Sequence, residues 1–189
     1  MVEELKKLDY QIMGVVTNNY VVPNYENIPL ENIITYKIEE TKKMTLLDIQ
    51  DTHNLSTKNN SKLQLAHTIN DKYILLYDFS KGLNQKEINY FKILFNKMTT
   101  KYGKKIMIFS KDINFLSTLC DTFVIYDKKV VYQTKDIFDE KLYSYVDMPN
   151  IVKFITIANK KGAELTKTTD LNELITDIYR RLHACKIDN

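Results

Sequence analysis

The chain has 189 residues, of which 44% are hydrophobic and 27% charged, with a formal net charge of +3. That length and balance suit one globular domain with its own core and point to neither a disordered chain nor a membrane class. No apolar run approaches the roughly 20 residues a membrane-spanning helix needs, and so small a net charge does not by itself argue for nucleic acid.

The opening Met1-Val2-Glu3-Glu4-Leu5-Lys6-Lys7 lacks the apolar core of a secretion signal, so a cytoplasmic location is the default expectation. Tyr10 to Val16 reads as a strand, and the Asn- and Pro-rich stretch from Asn18 to Pro29 as a surface loop. From Glu31 to Gln50 the apolar residues Ile33, Ile34, Ile38, Met44, Leu46, Leu47 and Ile49 have helical spacing broken in phase, which predicts two short helices. Ser56 can cap a further helix that buries Leu63, Leu65, Ala66 and Ile69 and ends at Asn70-Asp71.

Strands and helices then alternate. Tyr73 to Tyr77 is a buried strand, and Asn84-Gln85-Lys86-Glu87 forms a capping box for a helix to about Lys101 with Ile88, Phe91, Leu94, Phe95 and Met98 on one face. Gly103 stops that helix, and Lys105 to Phe109 is the next strand. A short helix around Asn114 to Leu119 follows, then strands at Thr122 to Tyr126 and Lys129 to Tyr132 across the tight turn Asp127-Lys128. The alternation predicts an α/β fold with a parallel sheet, closed by a hairpin of antiparallel edge strands. Beyond Lys135 the pattern is helical. Pro149 opens a helix through Lys160, Gly162 ends it, and Asp170-Leu171-Asn172-Glu173 caps a last helix to about Cys185.

The residues that ordinarily mark metal or thiol chemistry are scattered. Cys120 and Cys185 lack metal-ligand spacing and fit a reducing compartment, and His53, His67 and His183 form no zinc pair. Lys101, Lys104, Lys105, Lys128 and Lys129 are read as solvated turn residues, so a nucleic-acid partner is not expected.

Three segments carry a more specific pattern in a fixed order. They are Leu55-Ser56-Thr57-Lys58-Asn59 opening a helix, Ile74-Leu75-Leu76-Tyr77-Asp78 followed by Gly82-Leu83-Asn84, and Ile106-Met107-Ile108-Phe109-Ser110-Lys111-Asp112. In that order they resemble the signature, Walker B and switch regions of ABC transporter ATPases. The likeness runs from about Ile12 to Leu182 and is strongest to the ATPases of energy-coupling factor importers. The tail resembles that subgroup's C-terminal extension through Asp147-Met148-Pro149-Asn150-Ile151, Lys160-Lys161-Gly162 and Thr169-Asp170-Leu171-Asn172-Glu173-Leu174.

The resemblance implies a P-loop NTPase fold over residues 1–134 with a helical signature subdomain at about 30–70, and a helical extension over 135–189. It also shows where phosphate chemistry is impaired. In the family's Leu-Ser-Gly-Gly-Gln signature the glycines let backbone N–H groups approach a γ-phosphate; here Thr57 and Lys58 replace them, while Ser56 persists and would reach nucleotide held in trans by a partner. The Walker B aspartate holds magnesium and the glutamate after it orients water. If the Gly82-Leu83-Asn84 turn sets the register, Tyr77 takes the aspartate position and Asp78 the glutamate; if the strand sets it, Asp78 is the metal ligand and Phe79 replaces the glutamate. Either way one carboxylate is missing. Lys111 stands at the switch histidine position, and Asn18, after Met13-Gly14-Val15-Val16-Thr17, where the Q-loop glutamine would be. The phosphate-binding Gly-x-x-x-x-Gly-Lys-Ser/Thr loop is absent, since none of the four glycines has that spacing.

Together these features imply a truncated, degenerate ATPase-like subunit that does not hydrolyse ATP alone. ATP and Mg²⁺ would be engaged only with a partner, an intact ABC ATPase subunit or a second copy, in contact with a membrane transporter subunit at the inner face of the cell membrane. The alternative is a regulatory or interaction module that reuses the fold without nucleotide.

Overall fold

A computed structural model describes residues 1–20 and 71–184, so the signature-like segment Ser56-Thr57-Lys58 and the expected helices between 30 and 70 lie outside the described residues. In chain order the elements are α1 (Val2–Leu5), β1 (Ile12–Val16), β2 (Tyr73–Tyr77), α2 (Gln85–Tyr102), β3 (Lys105–Phe109), α3 (Ile113–Leu119), β4 (Thr122–Asp127), β5 (Lys129–Thr134), a 3₁₀ turn at Glu140–Ser144, α4 (Asn150–Lys160) and α5 (Leu171–Ala184). No described helix is long and apolar enough to cross a membrane.

The described strands form one five-stranded sheet in the order β2-β3-β1-β4-β5. β1 runs parallel to both β3 and β4, and β2 runs parallel to β3. Only β5 is antiparallel, against β4. The expected hairpin across Asp127-Lys128 is present, but only its second strand is an antiparallel edge, a correction for β4, which runs parallel to β1. Because α3 returns the chain to the amino end of the sheet, β4 must enter parallel to β1, and only the tight turn at Lys128, with φ of 58°, reverses direction.

Side-chain alternation sorts the sheet into two faces. Ile12, Ile74, Leu76, Ile106, Ile108, Phe123 and Ile125 face α2 and α3, where they meet Phe91, Leu94, Phe95, Met98, Leu116 and Leu119. Met13, Val15, Met107, Phe109, Val124 and Tyr126 take the other face with Leu5 and Tyr10. Strands buried on both sides read as near-continuous apolar runs, which is why β1, β3 and β4 lack the polar alternation of β5. At Gly14 a Cβ would stand 3.2 Å from Cys120 Sγ and from both Leu116 methyl carbons, so glycine lets α3 lie close on the central strand.

The helix boundaries follow local chemistry. The Asn84 side chain accepts from the Glu87 N–H at 3.0 Å while Glu87 accepts from the Asn84 N–H at 2.8 Å, the reciprocal box expected at the start of α2. Gly103 ends it with φ of 61°, a conformation that costs other residues energy. Asp112 caps α3 by accepting from the Phe115 N–H at 3.0 Å.

The chain beyond 134 packs on the same core. Ile137, Leu142 and Val152 join the cluster beneath α2 and α3, and the Asn150 N–H donates to Asn114 Oδ1 at 2.8 Å. Ile155, Leu165 and Leu174 form a smaller cluster between α4 and α5, and Lys92 of α2 pairs with Asp170 at 3.4 Å.

Phe79 concentrates the packing between β2 and α2. It is fully buried, edge-on to Phe91 at 4.8 Å and tilted against Phe95 at 5.5 Å. Phe79→Ala should cost about 3–5 kcal/mol in chemical denaturation, as large-to-small changes do in cores that relax only partly. Asn84→Ala should cost about 1 kcal/mol, the usual value of a helix cap.

Candidate functional site

From β2 the chain passes through α2 to β3, then through α3 across β1 to β4, moving in one direction with both helices on one face. From β1 to β2 it moves the opposite way. That reversal makes the carboxyl edge between β1 and β3 the switch point, where open α/β sheets form ligand crevices. A cleft of about 470 Å³ lies there, lined by Asn18 and Tyr20 after β1, Asp78, Ser80 and Lys81 after β2, and Ser110, Lys111 and Asp112 after β3. Its volume falls within the range of small-molecule sites.

Asp78 holds the centre. Its backbone has φ of 48°, left-handed and uncommon for a residue with a side chain, and its N–H still donates to the Phe109 carbonyl at 2.8 Å. That turn sends the carboxylate into the cleft. One oxygen accepts from the Tyr20 hydroxyl at 2.5 Å and the other pairs with the Lys81 ammonium at 2.5 Å. Burial pushes the Asp78 carboxyl up, but the bonds from Lys81 and Tyr20, with the charges of Lys81 and Lys111, outweigh it and hold the group below its ordinary value. The Tyr20 hydroxyl moves the other way: burial first, then the bond to Asp78 and its negative charge, push it well above the ordinary tyrosine value.

The Tyr20 ring is positioned by an aromatic ladder on the second face of the sheet. Tyr77 and Phe109 stack at 4.8 Å with planes 13° apart, and Tyr20 tilts against them at 5.8 and 6.1 Å. Ser110 is buried and accepts from the Asp112 N–H at 3.1 Å, while Lys111 stands exposed on the rim. Asn18 is exposed at the end of the central strand, where the following Asn19 N–H donates to Thr17 Oγ1 at 3.1 Å.

Of the residues singled out from the sequence, Asn18, Asp78 and Lys111 come together on this cleft. Ser56, Thr57 and Lys58 lie outside the described residues. Neither Tyr77 nor Phe79 lines the cleft: Tyr77 packs on Phe109, and Phe79 enters the core under α2. Asp78 is therefore the carboxylate that the end of β2 presents. Sequence reasoning missed Tyr20 and Lys81. Lys81 had a local signal, since it lies three residues beyond Asp78 in a turn closed by its own N–H to the Asp78 carbonyl at 3.0 Å. Tyr20 had none, being 58 residues away.

These side chains can be tested against a magnesium nucleotide. Mg²⁺ needs oxygen donors, commonly one or two carboxylates, and a triphosphate needs close backbone N–H groups. Asp78 has both oxygens engaged by Tyr20 and Lys81, and Asp112 caps α3. Among the described residues no group of three or more His, Cys, Asp and Glu is placed to hold a metal, and Thr17–Tyr20 contains no glycine. Among the described residues, then, the two carboxylates on the cleft already have hydrogen-bond partners within the chain.

No protein-family model matches the sequence. No curated protein matches it either. Among solved structures the chain is similar to CbiO1 from Clostridium perfringens, part of the ABC transporter complex CbiONQ, with 21% sequence identity and a TM-score of 0.38. The match covers 56% of this chain and 45% of that one, so the chain spans less than half of that structure's length.

Because the folded value of Asp78 is depressed, its contribution to stability is present above the ordinary carboxylate range and lost as pH falls through the lowered value. Tyr20→Phe removes one of the bonds that lower it. A carboxyl-carbon NMR titration should then show Asp78 titrating at higher pH than in the unaltered chain, and the acid limb of a thermal-melt series should shift the same way.

Proposed function

We propose that this chain is an ABC transporter ATPase-like subunit related to the energy-coupling factor importers, that it does not hydrolyse ATP on its own, and that it acts with an intact ATPase partner. The observation that carries the reading is the convergence of two sequence landmarks on one crevice. The end of β2, with Asp78 and the turn through Gly82, where φ is 77°, lies beside the end of β3, with Ser110 and Lys111. The motif order along the sequence, including the tail segments around Pro149 and Asp170, supports the same family.

In this reading each subunit of a head-to-tail pair offers its signature serine to nucleotide held by the other, and Ser56 is that group here. Lys111 would supply a point charge at the cleft rim, without the directional hydrogen bonding of a histidine. Asn18 would be the counterpart of the relay glutamine, shortened by one methylene. Contact with a membrane transporter subunit would place the assembly at the inner face of the cell membrane.

One observation favours a second reading, that of a regulatory or interaction module without nucleotide: the carboxylate at the centre of the cleft is already bonded to Tyr20 and Lys81.

The isolated chain should show no ATP turnover above background and no saturable heat with Mg²⁺ and ATP in calorimetry. Tight binding by the single chain would overturn the proposal. Mixed with an intact ATPase of the importer type, it should raise turnover, and Ser56→Ala should abolish most of that increase, on the scale of the 10²–10³-fold losses seen when one transition-state donor is removed. An unchanged partner rate in both mixtures would favour the regulatory module.

A further inference from the structure

The end of β2 presents an acidic group at the carboxyl edge of a parallel sheet, a place where a divalent cation would be drawn. Here each oxygen of that group accepts a hydrogen bond from within the chain. The Lys81 ammonium reaches one oxygen at 2.5 Å, and the Tyr20 hydroxyl reaches the other at 2.5 Å. The two donors come from different elements, one from the turn after β2 and one from the segment after β1. They approach a carboxylate whose side chain is only 18% exposed. The left-handed backbone at Asp78 fixes the direction of its side chain, so the donors must come to it.

We infer that Lys81 and Tyr20 stand in for a metal ion at this position, making the cleft one that keeps its shape without a divalent cation. The ammonium supplies the positive charge and the hydroxyl the second donor, and together they satisfy a half-buried carboxylate that would otherwise be costly to keep ionised. The pair Asp78 and Lys81 is neutral as a unit. Of the remaining charged groups among the described lining residues, Lys111 is basic and Asp112 accepts from the N–H of Phe115 through one oxygen. With the charges of the described lining residues so balanced, Asp78 does not concentrate divalent cations, and a ligand entering the cleft would be read by Lys111, the serines and Asn18 without a bridging metal. The inference rests on the internal geometry of the cleft and stands whether or not a partner ATPase exists.

Manganese binding tests it directly, read as the loss of the free hexaaqua-ion signal in electron paramagnetic resonance. The chain as it exists should show no saturable site that depends on Asp78 up to millimolar Mn²⁺, and its melting temperature should be the same in Mg²⁺ and in chelator. Lys81 is 71% exposed, so Lys81→Met leaves the fold intact, and Tyr20→Phe keeps the ring in the aromatic ladder. The double variant frees both carboxylate oxygens and should gain one Mn²⁺ site on the order of tenfold stronger than anything in the parent, lost again when Asp78→Asn is added. A saturable Mn²⁺ site in the unaltered chain that disappears in Asp78→Asn would overturn the inference. So would a double variant with unchanged circular dichroism that gains no site.

Discussion

Two consecutive side chains at the end of β2 leave the backbone in opposite directions, and much of the molecule is organised by that divergence. Asp78 adopts a left-handed conformation while its N–H stays bonded to β3, which turns its carboxylate into the cleft. Phe79 then enters the core, where it meets Phe91, Phe95 and Phe115. The buried ring pins the start of the β2-to-α2 connection. The strain at Asp78 is tolerated because the aromatic cluster on one side and the hydrogen bonds on the other over-determine the turn. A polar residue in place of Phe79 would lose the core contact and release the geometry of the cleft with it.

The cleft also depends on sheet order. Three strands contribute residues that are far apart in sequence, and they meet because β1 sits between β3 and β4 instead of at an edge. The central strand therefore delivers Tyr20 to Asp78, and the aromatic ladder of Tyr77 and Phe109 holds the tyrosine ring in place. The electrostatics follow from this placement. Burial alone would raise the Asp78 carboxyl, yet two donors and two nearby ammonium groups reverse the sign. A solvent-exposed carboxylate with one lysine partner would gain little from such a pair; partial burial together with the second donor from Tyr20 makes this one more than a surface contact.

The helical tail extends the same core. Ile137, Leu142 and Val152 complete the layer under α2 and α3, while Ile155, Leu165 and Leu174 tie α4 to α5. The Asp170 carboxylate accepts from the N–H groups of Asn172 and Glu173 and also pairs with Lys92 of α2, so a cap read from local sequence also serves as a contact between elements.

Local chemistry determined the elements. The Asn84 and Glu87 box, the stop at Gly103, the apolar runs of β2 and β3 and the opening of α4 after Pro149 are set by residues within a turn or two of one another, and the sequence alone places them within a few residues. It also singled out Asp78, Lys111 and Asn18, which the fold brings to one cleft. Only the tertiary structure decided the strand order and the parallel entry of β4, and it placed Tyr77 and Phe79 among packed aromatic rings at the end of β2. It alone brought Tyr20 to Asp78 across 58 positions. The reason is physical: caps and periodicity are short-range preferences written in neighbouring side chains, whereas strand order and the closure of a cleft are set by which distant apolar faces can be buried together, a property of the whole chain.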